Sequence, residues 1–311
     1  LLPEQLTKLA YGFDPIYHIN ESYLLPAIKN DDQIVRIIDD IDRIRDNYFV
    51  EKLIRKQTKF SGAIEYYNHH YCHLASTYYP SGFTNALLVS YDGIGEHETG
   101  MIGIGNSGNI QVIHKSSVYP DSLGLLYSAV TYFLGWKHHC DEGIIMGLAT
   151  YGNANSVIPG TSQTYKDVFD QIIEYTGPYS YRINLEWISY HEKRDSWVSD
   201  KFYETFGQKR NYDTDITQHH MDIAAGLQLR LEEIVINQLE HASSDTRLKH
   251  LCLSGGVALN CSMNGKIETS GLFDEIFVQP AAGDSGVAIG ACFLASKKTI
   301  SRLKPKKQHN F

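Results

Sequence analysis

Hydrophobic residues recur at helical spacing in several parts of this chain. Within residues 31–59, Ile34, Ile37, Ile38, Ile41 and Ile44 share one side of an amphipathic helix or helix pair, whose expected role is packing. Residues 65–79 read as another helix, with a break at Pro80-Ser81-Gly82. The strongest helical pattern lies at 220–241, where Ile223, Leu227, Leu231 and Ile234 fall on one face. Short apolar runs at 86–91, 100–104 and 111–115 read as strands. Their turns, Asp92-Gly93-Ile94-Gly95 and Gly105-Asn106-Ser107-Gly108, predict an antiparallel meander. Residues 122–134 read as a helix, followed by a glycine-punctuated stretch to Gly152. Residues 153–216 are polar, aromatic and weakly periodic, as expected of a partly irregular insertion. A strand at 250–253, a glycine turn, a helix, a second strand at 275–278, another glycine turn and a helix from about Ser285 complete the pattern. This alternation predicts an α/β fold, without a solenoid repeat.

Composition narrows the function classes. The chain has 311 residues, 42% hydrophobic and 21% charged, enough for one large or two medium domains. No run approaches the roughly 20 apolar residues that span a bilayer. A net charge of -8 disfavours sequence-independent nucleic-acid binding, and the basic tail 297–311 reads as a solvated terminus. The five cysteines form no CxxC pair and, being odd in number, no closed disulfide framework, which fits a reducing cytoplasm. The chain opens at Leu1 without a methionine or a signal-peptide pattern, so an incomplete piece of a longer protein is expected.

The chemistry-bearing residues start with His69 and His73. Four residues apart on a helix, they share a face one turn apart and can bind one metal ion; a plain surface or core pair is the alternative. Asp92 and Asp284 each sit in a glycine turn after a strand. They read either as turn aspartates or as the completion of a His2Asp2 shell suited to zinc or iron(II). The turns 92–95 and 254–260 read as tight turns or as phosphate cradles. Neither matches the P-loop or dinucleotide fingerprint. No nucleophile elbow is present. Cys72 and Cys140 have histidine neighbours, so a Cys/His nucleophile is conceivable, but no oxyanion-hole motif accompanies them; the doublets His138-His139 and His219-His220 read as surface residues before metal ligands.

Six segments, in order, resemble the O-carbamoyltransferases of nodulation and antibiotic biosynthesis (the NodU/CmcH type). They are His69-His70-Tyr71-Cys72-His73-Leu74-Ala75-Ser76, Leu88-Val89-Ser90-Tyr91-Asp92-Gly93-Ile94-Gly95-Glu96, Tyr119-Pro120-Asp121-Ser122-Leu123-Gly124-Leu125-Leu126-Tyr127, Glu142-Gly143-Ile144-Ile145-Met146-Gly147-Leu148-Ala149-Thr150-Tyr151-Gly152, 254–260, and Gln279-Pro280-Ala281-Ala282-Gly283-Asp284-Ser285-Gly286. The resemblance implies an actin/sugar-kinase/Hsp70-like (ASKHA) α/β fold with two lobes around a nucleotide cleft. It implies a partial first lobe at 1–83 carrying the HxxxH helix, and a second lobe at 84–296. It implies a metal shell of His69, His73, Asp92 and Asp284, with iron(II) favoured over zinc. Gly93, Gly95, Gly255, Gly256 and Asn260 would line ATP, with Mg2+ accompanying the nucleotide. The implied reaction passes a carbamoyl group from carbamoyl adenylate, made from carbamoyl phosphate and ATP, to a hydroxyl of a sugar or secondary metabolite. A YrdC-like domain, in the same longer chain or in trans, would make the adenylate; no membrane or nucleic-acid partner is expected.

Three departures from the family pattern stand out. Residues 1–30 contain no first phosphate loop, the 311 residues include no YrdC-like segment, and Ile144 and Thr150 replace the family's Lys and Pro. They leave a second reading, a nucleotide- and metal-binding module without independent turnover. A weaker third reading, a histidine-metal hydrolase, lacks the glutamate of an HExxH site because Tyr71 and Cys72 occupy the middle of the run.

Overall fold

The computed structural model describes residues 6–30, 33–192 and 196–296; the basic tail lies outside the described residues. Its centre is a five-stranded sheet. The meander is β3 (Asn85–Tyr91), β4 (Glu98–Asn106) and β5 (Asn109–Val118). β8 (His250–Ser254) pairs in parallel with β3, from Leu87↔Leu251 to Ser90↔Ser254, and β9 (Glu275–Val278) pairs in parallel with β8. The resulting order is β5-β4-β3-β8-β9. Two smaller sheets are the parallel pair β1 (Lys8–Tyr11) and β2 (Ala63–Tyr66), and the hairpin β6 (Ile173–Gly177) and β7 (Ser180–Ile183).

The period of two along the central strands divides their side chains between two cores. Leu87, Val89, Tyr91, Leu251 and Leu253 enter the larger one. There they join α7 (Leu123–Phe133), α8 (Glu142–Ala149), α9 (Tyr165–Ile172), α10 (Asp200–Phe206) and α11 (Gln218–Thr246). Ala86, Leu88 and Cys252 point to the other face, against Leu74, Ala75 and Tyr78 of α6 (His69–Ser81). On that face α13 (Asp284–Ser296) lies along α6, while α12 (Cys261–Thr269) follows β8. The fold class is therefore α/β, as expected. The helix carrying His69 and His73 packs directly on β3, β4 and β8.

Several elements differ from the sequence reading. Residues 63–66, partly assigned to the histidine helix, form β2, because they pair with a strand more than fifty positions earlier. The helix instead starts after Asn68, whose side chain accepts the Tyr71 N–H, and it runs through Pro80 to end at Gly82, at φ 79°. The isoleucine-rich stretch is three short helices, α3 (Ile34–Asp39), α4 (Ile41–Tyr48) and α5 (Val50–Thr58), which follow α1 (Pro15–Ile19) and α2 (Leu25–Lys29). The chain turns at Asp40 and Phe49, so the expected packing face is not continuous; Ile34, Ile38 and Ile41 are 45%, 65% and 55% exposed. Residues 153–216 are no appendage: Phe169, Tyr181, Trp187, Phe202 and Phe206 from their short elements are buried in the larger core.

Candidate metal centre and cleft

Three parallel strands deliver the site. Asp92 follows β3, Gly256 follows β8, and Asp284 follows the turn after β9, so all three lie at carboxyl ends, where α/β sheets place ligands. Helix α6 crosses this edge with its first turn. His69 Nε2 and His73 Nε2 each lie 3.1 Å from Asp92 Oδ2 and 3.1 Å from one another. Asp284 Oδ1 lies 3.5 Å from His69 Nε2, and one donor atom from each of the four side chains falls within 4.8 Å of the others. A tetrahedral ion with bonds of roughly 2.0–2.1 Å holds its donors about 3.3 Å apart. The donor spacing and the mixture of two imidazoles and two carboxylates fit a divalent cation. His69, His73 and Asp92 are buried whereas Asp284 is exposed, which leaves one side open to a ligand.

Neighbouring groups fix these side chains. Both carboxylate oxygens of buried Glu96 accept the His69 backbone N–H, at 2.9 and 3.1 Å, anchoring the first turn of α6. The same carboxylate accepts the Asp14 N–H, tying α6 to the start of α1. Asp92 Oδ1 accepts the Gly256 N–H at 3.0 Å, and Ser122, the N-cap of α7, donates to the Asp92 and Gly93 carbonyls. Sequence reasoning gave Glu96 no role; its signal was a carboxylate four residues after Asp92.

Electrostatics couple the pair. Burial disfavours ionisation of Asp92, but hydrogen bonds from His69 and His73 hold its carboxyl well below the usual range. Burial likewise opposes protonation of His69, but the Asp92 hydrogen bond and the charges of Asp92, Asp284 and Glu96 outweigh it and raise its pKa. In the metal-free protein, the His69 contribution to stability is full below about pH 6.5 and is lost as pH rises through the raised folded value. Metal ligation requires neutral imidazole, so the loaded protein should respond oppositely. Buried histidines with lowered pKa, His70 and His18 among them, act in the opposite sense over the same range, so the effect is read as a difference. The urea-unfolding advantage of chelator-treated wild type over chelator-treated His69→Asn should shrink as pH rises above about 6.5. Zinc-loaded protein should show no such shrinkage. A constant or growing advantage in the chelator-treated pair contradicts this electrostatic account.

His70, between the two candidate ligands, has a different task. It is fully buried, with Nδ1 2.8 Å from Ser90 Oγ and Nε2 2.9 Å from the Glu98 carbonyl, and burial lowers its pKa to about 3. His70→Ala should cost about 2–4 kcal/mol through a cavity and unsatisfied partners while leaving metal stoichiometry intact, as read by chemical denaturation beside elemental analysis. Cys72 is no nucleophile candidate: it is fully buried and its thiol is pushed up to about 12.

A cleft of about 970 Å³ opens from Asp92 and Asp284. Of the residues expected to line a nucleotide, Gly93, Gly256 and Asn260 are on its wall, whereas Gly95 and Gly255 are not. Gly95 abuts the His69 and His70 rings, and Gly255 has a left-handed φ of 86° and faces the Tyr91 backbone. Asn260 also caps α12 through the Met263 N–H and pairs with Gln228. From α8, Glu142, Gly143 and Met146 face the cleft, while Ile144 is 46% exposed and is not part of that wall. His138, His139 and Cys140 line it, as do Tyr190 and Trp197 from the segment read as an insertion. His219 instead binds Tyr165 and the Phe206 carbonyl, and His220 serves the N-cap of α11. Among the described residues no helix is long and apolar enough to cross a membrane.

Comparison with known proteins agrees with this picture at the level of family. Nodulation protein NolO of Bradyrhizobium diazoefficiens is 37% identical over 243 residues, covering 78% of this chain and 40% of its own length. An uncharacterized Synechocystis protein is 37% identical over 237 residues, covering 76% of this chain and 37% of its own. The chain thus spans well under two thirds of either relative. Among solved structures, HypF of T. kodakarensis gives a TM-score of 0.44 at 13% identity, covering 80% of this chain and 38% of that one. Since the family model described as Carbamoyltransferase N-terminus matches residues 31–293, nearly the whole described length, the chain belongs to the carbamoyltransferase N-terminus family.

Proposed function

We propose that this chain is the transfer domain of an ATP-dependent O-carbamoyltransferase with a two-lobed ASKHA architecture. In this reading, carbamoyl adenylate, made from carbamoyl phosphate and ATP by a YrdC-like domain, donates its carbamoyl group to a hydroxyl of a sugar or secondary metabolite. The observation that carries the reading is the convergence of His69, His73, Asp92 and Asp284, with Asp92 and Asp284 reaching the wall of one cleft.

A divalent cation held by these four side chains, iron(II) before zinc, would supply Lewis-acid polarisation of the carbamoyl carbonyl and charge compensation for the leaving phosphate. The protein's own part is positioning. The N–H of Gly256 and the Ser122 hydroxyl hold Asp92 in place, and Glu96 holds the first turn of α6, so the donor atoms are set before substrate arrives. Gly93, Gly256 and Asn260 present a cradle for the nucleotide, with Mg2+ on its phosphates. The aromatic wall of Tyr190 and Trp197 excludes water and offers ring faces to a saccharide.

Synthetic carbamoyl adenylate, offered to the chain with a panel of hydroxylated saccharides, tests the reading. Carbamoylated product is expected without ATP or carbamoyl phosphate. The second reading is a nucleotide- and metal-binding module without independent turnover. Retained binding of a nonhydrolysable ATP analogue with no product across the panel would favour it.

A further inference from the structure

Helices α3 and α4 place Arg36 and Arg43 on the wall of the same cleft. Arg36 is half-buried, with its guanidinium carbon 4.8 Å from the Tyr119 ring centroid and 5.8 Å from that of Tyr23. A guanidinium stacked on aromatic rings is oriented by them and keeps its N–H edge for a ligand. Neither arginine forms an ion pair with a described residue. Asp39 and Asp40 share the cleft, but Asp40 Oδ2 accepts the Tyr23 hydroxyl at 2.9 Å. Asp92, Glu142, Glu192 and Asp284 also line the cleft, so the arginines act locally, on the groups beside them. After burial, the larger cause, both arginines lower the pKa of His18, and both oppose the burial-driven rise at Tyr119.

Two cations in one concave wall attract and orient an anion more strongly than either alone on a convex surface. Both lie outside the segments that carry the family resemblance, and on different elements from the strand-end turns that hold Gly93 and Gly256. We propose that Arg36 and Arg43 form an oxyanion subsite that selects acceptors bearing a carboxylate, phosphate or sulfate group near the hydroxyl to be carbamoylated. This acceptor assignment rests on the reading of the cleft as a transfer site. The phosphates of the nucleotide present the same oxyanion chemistry, so the test separates the two sources.

The full chain would be titrated calorimetrically with glucose 6-phosphate, glucose and ATP, as wild type and as Arg36→Gln/Arg43→Gln. Glucose 6-phosphate affinity should fall about 10-fold or more in the double variant, with ATP affinity unchanged and glucose insensitive to the substitutions. Arg43→Gln alone, at an exposed position, should show a smaller loss of the same kind and guards against misfolding of the double variant. An equal loss for ATP would overturn the proposal by assigning the arginines to the nucleotide. Wild type that fails to bind glucose 6-phosphate, or binding indifferent to the arginines, would overturn it as well. Arginine-dependent glucose 6-phosphate binding without ATP binding would sustain the subsite while removing the transferase reading.

Discussion

His73→Ala is expected to reduce carbamoyl transfer by roughly 1,000-fold or more, the scale of losing Lewis-acid assistance at the reacting carbonyl. His73 is fully buried, and its Nε2 lies 3.1 Å from both Asp92 Oδ2 and His69 Nε2, so no other imidazole can take its place. Metal affinity should fall by more than about 100-fold, beyond the usual cost of removing a single outer hydrogen-bond partner. The response of the residual rate to added metal should move to correspondingly higher metal concentration. Transfer from supplied carbamoyl adenylate, measured across a metal titration, checks both statements. A variant that keeps wild-type transfer would remove the imidazole from the mechanism. His70→Ala is the matched control, because that ring meets Ser90 and the Glu98 carbonyl instead of Asp92.

The second large effect is on stability. Gly290 lies where α13 passes closest to α6: a Cβ there would sit 1.9 Å from the Cys72 carbonyl oxygen and 2.6 Å from its carbon. Backbone cannot yield as a side chain would, so Gly290→Ala must push the two helices apart. The expected cost is about 3 kcal/mol or more, at the upper end of overpacking penalties, read as a lowered urea midpoint at unchanged slope. Asp284 opens α13 and His69 and His73 sit on α6, so the same separation should weaken metal binding. Near-wild-type stability would mean that the two helices do not meet as closely as described.

The parts legible in the sequence were those with local causes. The meander, the long helix and the two parallel strands each carry their own periodicity, and Ile223, Leu227, Leu231 and Ile234 are indeed the buried face of α11. The histidine spacing was legible because one helical turn relates the two rings. Asp92 and Asp284 were legible as members of glycine turns after strands, although their approach to the histidines depends on how β3, β8, β9 and α6 assemble. What escaped had non-local causes. β2 exists through its pairing with β1, and Glu96 gains its role from two backbone amides far away in sequence. Gly255 illustrates the limit: a glycine after a strand reads the same whether it meets a phosphate or a neighbouring strand, and here a Cβ would meet the Tyr91 carbonyl oxygen at 2.1 Å. The segment 153–216 hid its packing because its aromatic residues are spread over elements too short to show a period.

His69, His73, Asp92 and Asp284 are expected to hold one divalent metal, and bound-metal content reads this without intermediary. The chain would be purified and reconstituted under reducing conditions with iron(II) or zinc, then analysed for bound metal beside His69→Ala/His73→Ala. Close to one ion per wild-type chain is expected, and essentially none in the double variant. Wild type that stays metal-free after reconstitution, or a double variant that retains its metal, would contradict it.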